Sequence, residues 1–527
     1  MPSRKGIASY IVGAAGIAIA AAMLLISIEI SRHERDWVKD WLTQEFNSEV
    51  ELQNFHVSFF FPLVQADGEN LVLHFHGRRD LPPLIAVKSF SMKASILGTL
   101  RNPRRISFVH LEGLQLNIPP RGENTAGEDA AGIRKAMGKV RAVHFDEIVS
   151  ENATLKILTS KPGKDPLEFD IQHLNLHSSG KQGELIFQAT LTNPTPPGQI
   201  LSNGAFGPWN TDSPSSTPVS GTYTFENANL GVFPGIRGTL SSKGAYEGVL
   251  EKIHVHGVTD TPDFQVTGAG HPLDLSTTFD ATVDGTNGDT YLHPVVAHFR
   301  KTTLRAQGSV EGTAGKKGKT ITLDVAAEQA DIQDLLQFAV KESAPMTGPI
   351  RLKTKFVLKP GPEEIPRRLY LDGSFALDAV HFTSNQVQQN LDNLSKRSLG
   401  KPKEVEDPLV ADSTDDVASE MRGDFRMQNG SVRLTRISFQ VPGAQIHMHG
   451  DYDLDQENLD FHGIVELQAR LSQTMTGAKS FFLKIVDPFF SKNGKGAVLP
   501  IKITGPLNHP NYGLDLGQKE KTDKASN

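Results

Sequence analysis

The sequence predicts a mainly β protein built from an antiparallel sheet, and three observations predict it. From Val50 almost to the end, apolar residues recur with a period of two, which gives each strand one apolar and one wet face. Turn dipeptides separate the runs: Asp67-Gly68, Pro162-Gly163, Pro360-Gly361, Asp372-Gly373 and Asn429-Gly430. Glycine (47) and proline (31) are plentiful, as many strands and turns require.

The first element is different. Residues 6–28 carry no charge, and at about 1.5 Å per residue a helix of that length spans roughly 30 Å of hydrocarbon. The run is long for a signal peptide and ends in SIEISRHERD without an A-x-A cleavage pattern, so the expectation is an uncleaved signal anchor. Its apolar body includes Ile7, Ile11, Val12, Ile17, Ile19, Leu24, Leu25 and Ile26. Arg4 and Lys5 precede it, whereas Arg32 and Arg35 follow it; the tally of basic residues is nearly balanced, and the short amino-terminal side is expected to be cytoplasmic.

Next, residues 36–46 place Trp37, Trp41, Leu42 and Phe46 near helical spacing. This is a short amphipathic helix, suited either to the membrane interface or to packing on the first strands. The strands follow. Leu114, Leu116 and Ile118 share a face, with Gln115 and Asn117 opposite. The same alternation groups Leu185, Phe187, Ala189 and Leu191; then Leu273, Leu275, Phe279, Ala281 and Val283; then Ile350, Leu352, Phe356 and Leu358; and last Val465, Leu467, Ala469 and Leu471. Residues 193–218 are rich in Pro, Gly and Ser and read as a loop. Short helices are expected at 132–140 and near 330–341, and a longer one in a helical and charged insert over 384–420, where Val387, Leu391 and Leu394 have helical spacing. Residues 518–527 read as a disordered tail.

Composition excludes several classes. A net charge of -6 gives no footprint for nucleic acid, and the absence of cysteine removes disulfides, zinc fingers, iron–sulfur clusters and thiol chemistry. The mean hydropathy of -0.29 leaves residues 6–30 as the one membrane-spanning candidate. Twenty to twenty-five half-apolar strands must hide their faces in sandwiches, in a closed barrel, or in one curled sheet whose apolar faces line a common trough. Alternation alone does not separate these.

The chain resembles the AsmA-like family of envelope proteins. The resemblance is carried by residues 425–467, a strand pair with an Asn-Gly turn followed by G-D-Y-D-L, and by residues 471–516, which contain D-P-F-F, a glycine turn, P-I-K-I-T-G and P-N-Y-G-L. The amino-terminal part is similar too, in VELQNFHVSFFFPLVQADGENLVLHF, KSFSMKASILGTL and ISFVHLEGLQLNIPP. The resemblance implies a long twisted, curled antiparallel sheet forming an elongated hydrophobic groove, with one N-terminal transmembrane helix and a few short helices. It implies a bacterial inner-membrane protein with its bulk in the periplasm, which transfers phospholipids along the groove for outer-membrane biogenesis. Membrane lipids are the implied partners, with outer-membrane assembly proteins also in view, and no cofactor, metal or catalytic residue is implied. The corresponding division of the chain is a stub and anchor over 1–32, an amino-terminal β region over 33–125, a middle groove over 126–383, the insert over 384–420, a carboxy-terminal β region over 421–517 and the tail. The expected lipid-facing residues are Leu185, Phe187, Leu275, Phe279, Val283, Ile350, Leu352, Phe356, Leu358, Val465 and Leu467. The expected groove ends are Phe59, Phe60 and Phe61 at one side and Phe481, Phe482, Phe489 and Phe490 at the other. Two competing readings are a non-transporting scaffold for outer-membrane assembly and a membrane-tethered carbohydrate-active enzyme of β-sandwiches.

Other motifs read as structural. His74/His76, His254/His256 and His447/His449 each form an H-x-H-G string, whose i, i+2 spacing on a strand suits a metal, but their neighbours Leu73, Phe75, Ile253, Val255, Ile446 and Met448 occupy the apolar face. The glycine-lysine string at 312–320, with Lys316, Lys317 and Lys319, nearly matches a phosphate-binding loop, yet a strand follows it where a helix is needed. The acidic pairs Asp331/Asp334 and Asp415/Asp416 lack the opposed geometry of a glycosidase, and no hydrolase or dinucleotide signature is present. No enzyme activity is expected.

Overall fold

The computed structural model describes residues 33–515 apart from 45, 47, 100–103, 120–142, 159–165, 182, 211–212, 268–270, 313–317, 338–342, 402–418, 471–472, 475–495 and 508. The expected anchor at 6–30, the helix at 132–140, Lys316, Lys317, Asp415, Asp416, Phe481, Phe482, Phe489, Phe490 and the tail lie outside the described residues. Among the described residues no helix is long and apolar enough to cross a membrane.

Helix α1 (33–44) leads into a hairpin of β1 (Ser48–Phe60) and β2 (Leu63–Phe75), then β3 (Ile85–Ser95) and the one-turn α2 (Ile96–Thr99). Strands β4 (Arg104–Ile106), β5 (Phe108–Glu112), β6 (Gln115–Ile118), β7 (Val143–Phe145) and β8 (Ile148–Ile157) contain the parallel pairings: β4 with β7, and β5 and β6 together with β8.

From there the chain is a meander in which long neighbours pair antiparallel. It runs through β9 (Leu167–Ser178), β10 (Leu185–Pro194), β11 (Pro197–Phe206), β12 (Pro218–Asn229), the short β13 (Ile236–Arg237), β14 (Thr239–Val249), β15 (Lys252–Val266) and β16 (Leu273–Asp284). It continues through β17 (Asp289–Phe299), β18 (Thr302–Gly312), β19 (Lys319–Asp331), α3 (Ile332–Leu336), the short β20 (Met346–Thr347) and β21 (Pro349–Leu358). After α4 (Ile365–Arg368) come β22 (Leu369–Phe382), α5 (Asn385–Ser398) and β23 (Ser419–Gln428). It closes with β24 (Ser431–Val441), β25 (Ala444–Asp453), β26 (Asn458–Leu467), β27 (Ala497–Pro506) and β28 (Asn511–Leu514). Apart from β4 and β7, all belong to one 26-stranded sheet. The sheet runs on across positions 384 and 421: β22 pairs directly with β23, and α5 lies between them in the chain.

The expected loop at 193–218 is corrected by the structure, because Pro197–Phe206 is a full strand. Its prolines sit where a ladder tolerates them: Pro194 faces Pro197 at the very end of the β10–β11 hairpin, and Ile200, Ser202, Gly204 and Phe206 keep the alternation. Elsewhere, two prolines inside strands fall in bulges. Pro262 lies in the register shift between Thr261 and Phe264, and Pro294 in that between Leu292 and Val295. Such bulges recur along the sheet and increase its twist.

Glycine shows which way the sheet bends. A Cβ added to Gly204 would stand 2.0 Å from the Ser220 carbonyl oxygen, and one added to Gly463 would stand 2.0 Å from that of His447. Both glycines lie on the apolar face, so the neighbouring backbone closes in on that side and the apolar face is concave. Aromatic rings lie across other glycines of this face: a Cβ on Gly68 would meet the Phe90 ring at 2.4 Å, and one on Gly450 the Phe461 ring at 2.7 Å.

Three helices cover parts of the concave face. Val38 and Leu42 of α1 pack with Val50, Leu52, Leu73, Val87 and Phe90, while Trp37 and Trp41 stack at 6.3 Å. Of the two roles open to this helix, the structure shows packing on the first strands. Ile332 and Leu335 of α3 cover Ala327, Ala330, Ile350, Leu377 and Val380. Leu391 and Leu394 of α5 cover Phe439, Val441, Ala444, Val465, Leu467 and Ala497. Helix α5 starts where Ser384 Oγ accepts the Val387 amide hydrogen and carries Lys396 and Arg397 in its last turn, opposite the helix dipole's negative end.

Gly204→Ala is expected to destabilise the protein by about 1–3 kcal/mol, because the strand must shift to admit the methyl group. Gly513→Ala, where the nearest atom to an added Cβ is 3.9 Å away, is expected to be near neutral. Thermal unfolding of the two variants tests the concave assignment, and equal midpoints would contradict it.

Candidate functional site

Strand register assembles a surface that no single strand reveals. In β1, β2, β3, β5, β8 and β9, Val57 stands opposite Ala66, then Met92, Val109, Ile148 and Leu176 in succession. The row continues through Phe187, Gly204, Gly221, Tyr246, Val255, Ala281 and Leu292. It goes on through Gly308, Leu323, Phe356, Leu371, Met427, Val432, Tyr452, Leu459 and Gly505. No member is charged, and at about 4.8 Å per strand the row follows a path of roughly 100 Å.

The two rims of this trough differ. At one rim Ala228, Leu273, Phe299, Ala330, Ile350, Val380, Val441, Leu467 and Ala497 are buried, several beneath α3 or α5. At the other rim Ile253, Val283, Leu358, Leu369, Val432 and Leu459 are half-buried, and the one-turn α4 lies between Leu358 and Leu369, its Pro366 carbonyl accepting from the Gly430 amide at 3.2 Å. Among the described residues, the concave face is therefore buried along one rim and more open along the other.

Of the expected lipid-facing residues, Phe187 and Phe356 lie in the central row. Leu185 pairs with Phe206, Phe279 with Gly257, and Leu352 with Phe375, each on the same face beside the row. Val283 and Leu358 reach the open rim, and Leu275 the closed one, opposite Thr261. Ile350 (5% exposed), Val465 (7%) and Leu467 (9%) are corrections: the helices bury them, so they belong to packed core and not to the open surface. Asn117, expected on a wet face, is buried and donates to the Pro83 carbonyl at 2.6 Å. Tyr246, Leu292, Leu323, Leu371 and Met427 were not singled out from the sequence. Their alternation is present there, but membership of the row depends on which residue faces which across each turn.

The middle of the floor carries hydroxyls. Ser202 Oγ and Tyr246 OH lie 2.8 Å apart, Tyr223 OH and Ser242 Oγ 3.1 Å, and Thr259 and Thr277 2.6 Å. Burial raises the pKa of both tyrosines above the ordinary phenol value, so they are neutral hydrogen-bonding groups at physiological pH.

The outer face is ionic. Arg426 pairs with Asp372, Arg433 with Asp451 and Arg436 with Asp424 across neighbouring strands, at 2.8, 2.7 and 2.6 Å. Exposed pairs of this kind add little stability but favour one register. His254 and His256, like His447 and His449, point to this exposed face; His74 is half-buried, and His76 follows β2 in a left-handed turn. Among the described residues no cluster of three metal-ligating side chains exists. Asp331 caps α3 by accepting the Gln333 amide hydrogen, and Asp334 accepts from Thr302 Oγ and the Lys301 amide, so this acidic pair has a structural role.

At the amino-terminal end a cavity of about 570 Å³ opens between α1 and the first three strands. Its floor includes Val57, Ala66 and Met92, the first residues of the uncharged row, and Trp37, Val38, Phe59 and Ile96 stand around it. The Arg104 guanidinium lies 3.8 Å over the Trp37 ring and 3.0 Å from Glu34.

At the other end, His462 Nδ1 is 2.7 Å from Asp515, and its Nε2 is 3.1 Å from Asp460. The Asp515 hydrogen bond, with a smaller contribution from Asp460, raises its pKa above the free value of about 6.5. A raised pKa stabilises the folded edge fully below the free value, and the gain is lost as pH rises through the folded one. Amide exchange over Asn511–Leu514, corrected for intrinsic rates, is therefore expected to be slower at pH 5.5 than at pH 8. His462→Gln is expected to remove the difference, and an unchanged pH dependence in that variant would exclude His462 as its source.

Compared with known proteins, the chain matches no family model, no curated protein and no solved structure.

Proposed function

We propose that this protein is a membrane-anchored lipid carrier, held in the bacterial inner membrane by residues 6–30, whose concave face shields acyl chains as they move through the periplasm toward the outer membrane. The observation that carries this reading is the uncharged row from Val57 to Gly505, most of whose members are partly exposed, although Val57, Val109, Ile148, Ala281 and Met427 are buried. A phospholipid chain in water costs about 0.8 kcal/mol per methylene, on the order of 10 kcal/mol for a common acyl chain. A continuous apolar floor offsets that cost at every point of the path, while the headgroup stays in water at the open rim. No reaction or cofactor is needed, because the lipid moves by diffusion. The resemblance to the AsmA-like family supports the same reading and the link to outer-membrane biogenesis.

Purified protein is expected to carry phospholipid, detected by native mass spectrometry and by extraction. Photocrosslinkers at Phe279 and Phe356 are expected to capture lipid, and one at Tyr291 on the outer face is not. Phe356→Arg is expected to cut transfer by at least about tenfold, since the acyl chain must pass a guanidinium. Phe356 is only half-buried, so the fold should lose no more than about 1 kcal/mol. Protein that carries no lipid, or transfer that survives Phe356→Arg, would refute the carrier reading.

A further inference from the structure

A cluster of exposed apolar side chains, including Phe61, the most exposed large apolar residue among those described, lies at the tip of the β1–β2 hairpin. Phe59 is 43% exposed, Phe60 65%, Phe61 91% and Leu63 47%. The Ile96 amide donates to the Pro62 carbonyl at 3.1 Å, which brings α2 against this tip, and Leu97 of α2 is 72% exposed. A soluble surface does not ordinarily gather five large apolar side chains at one turn.

Chain geometry says what lies next to them. His33, Glu34 and Trp37, the first turn of α1, line the same cavity as Phe59 and Ile96. The uncharged run at 6–28 ends five residues before His33, a reach of no more than about 18 Å even if extended. Any bilayer that holds the run is therefore close to the hairpin tip. The tip also borders the cavity whose floor begins the uncharged row.

We propose that Phe59–Phe61, Leu63 and Leu97 form a lip that inserts into the bilayer surface, and that the cavity behind it admits one acyl chain at a time from that leaflet. The assignment of the cavity rests on the carrier reading above; the insertion of the lip does not. Aromatic side chains suit the headgroup boundary, where they displace lipid packing without the cost of burying a charge. Arg104, held between Trp37 and Glu34, lines this cavity and is a cation that a lipid phosphate would meet there.

The full chain contains no cysteine, so Phe61→Cys and Leu97→Cys each give one labelling site for an environment-sensitive fluorophore. Tyr291→Cys, at an exposed apolar position on the outer face, is the reference. In vesicles of phosphatidylethanolamine and phosphatidylglycerol, the labels at 61 and 97 are expected to shift to the blue. Spin-labelled lipid should quench them several-fold more strongly than the label at 291. Quenching of all three by aqueous iodide to the same extent, with no response to the spin-labelled lipid, would overturn the lip. The two proposals fail separately: lipid-loaded protein with a water-exposed label at 61 removes the lip alone, and an inserted lip on protein that never carries lipid removes the carrier alone. Phe60→Ser with Phe61→Ser, at positions too exposed to affect folding, is expected to slow lipid uptake from vesicles while leaving the unfolding temperature unchanged. Uptake at the original rate would exclude a loading role for the tip.

Discussion

The side-chain period of two, held in register across an unbroken sheet, is the constraint on which everything else depends. A slip of one residue at any hairpin would turn that strand's apolar set outward and interrupt the row from Val57 to Gly505. Tight turns, paired charges on the outer face and bulges at fixed places all act against such a slip. Arg426 with Asp372 and Arg436 with Asp424 matter here less for their energy than for the register they favour.

A single sheet with one apolar face has no partner layer, and this protein reduces the resulting exposure in two ways. The sheet curls toward its apolar side, which glycine permits at Gly204 and Gly463 by leaving room for the next strand's carbonyl. Short helices then cover one rim. Ile332 and Leu335 of α3 and Leu391 and Leu394 of α5 do what a second sheet does in a sandwich, but only along that rim. The face between remains half-exposed. Full coverage would have produced a more stable molecule with nothing to offer a ligand.

Much of this was legible in the sequence, because alternation is local. The strands at Leu185, Leu273, Ile350 and Val465, the helix that Ser384 starts and the hairpin around the glycine-lysine string all follow from spacing and turn chemistry. What was not legible is non-local. Pro197–Phe206 reads as a loop because its prolines and glycines outweigh its alternation until the pairing with β10 is known. Ile350, Val465 and Leu467 look no different from Phe356 in sequence; only the helices packed on them separate core from open floor. The row itself depends on register across many turns, and a one-residue error at any turn would hide it.

The hydroxyls in the middle of the floor test whether that surface is apolar in the sense a lipid requires. Six of them lie between Ser202 and Thr277, and unpaired hydroxyls there would each cost a passing chain about 1–3 kcal/mol in lost hydration. They are not unpaired. Ser202 meets Tyr246 and the Thr222 carbonyl, Tyr223 meets Ser242, Ser242 reaches the Val258 carbonyl, and Thr259 meets Thr277. Each has a partner within the sheet, so a methylene laid across them displaces little bound water. Burial keeps both tyrosines neutral, and the pairing holds their hydroxyls against the sheet. On the carrier reading proposed above, the stretch would join the aliphatic segments on either side without a polar barrier, and the continuity of the lipid path would depend on those hydrogen bonds as much as on leucine and phenylalanine.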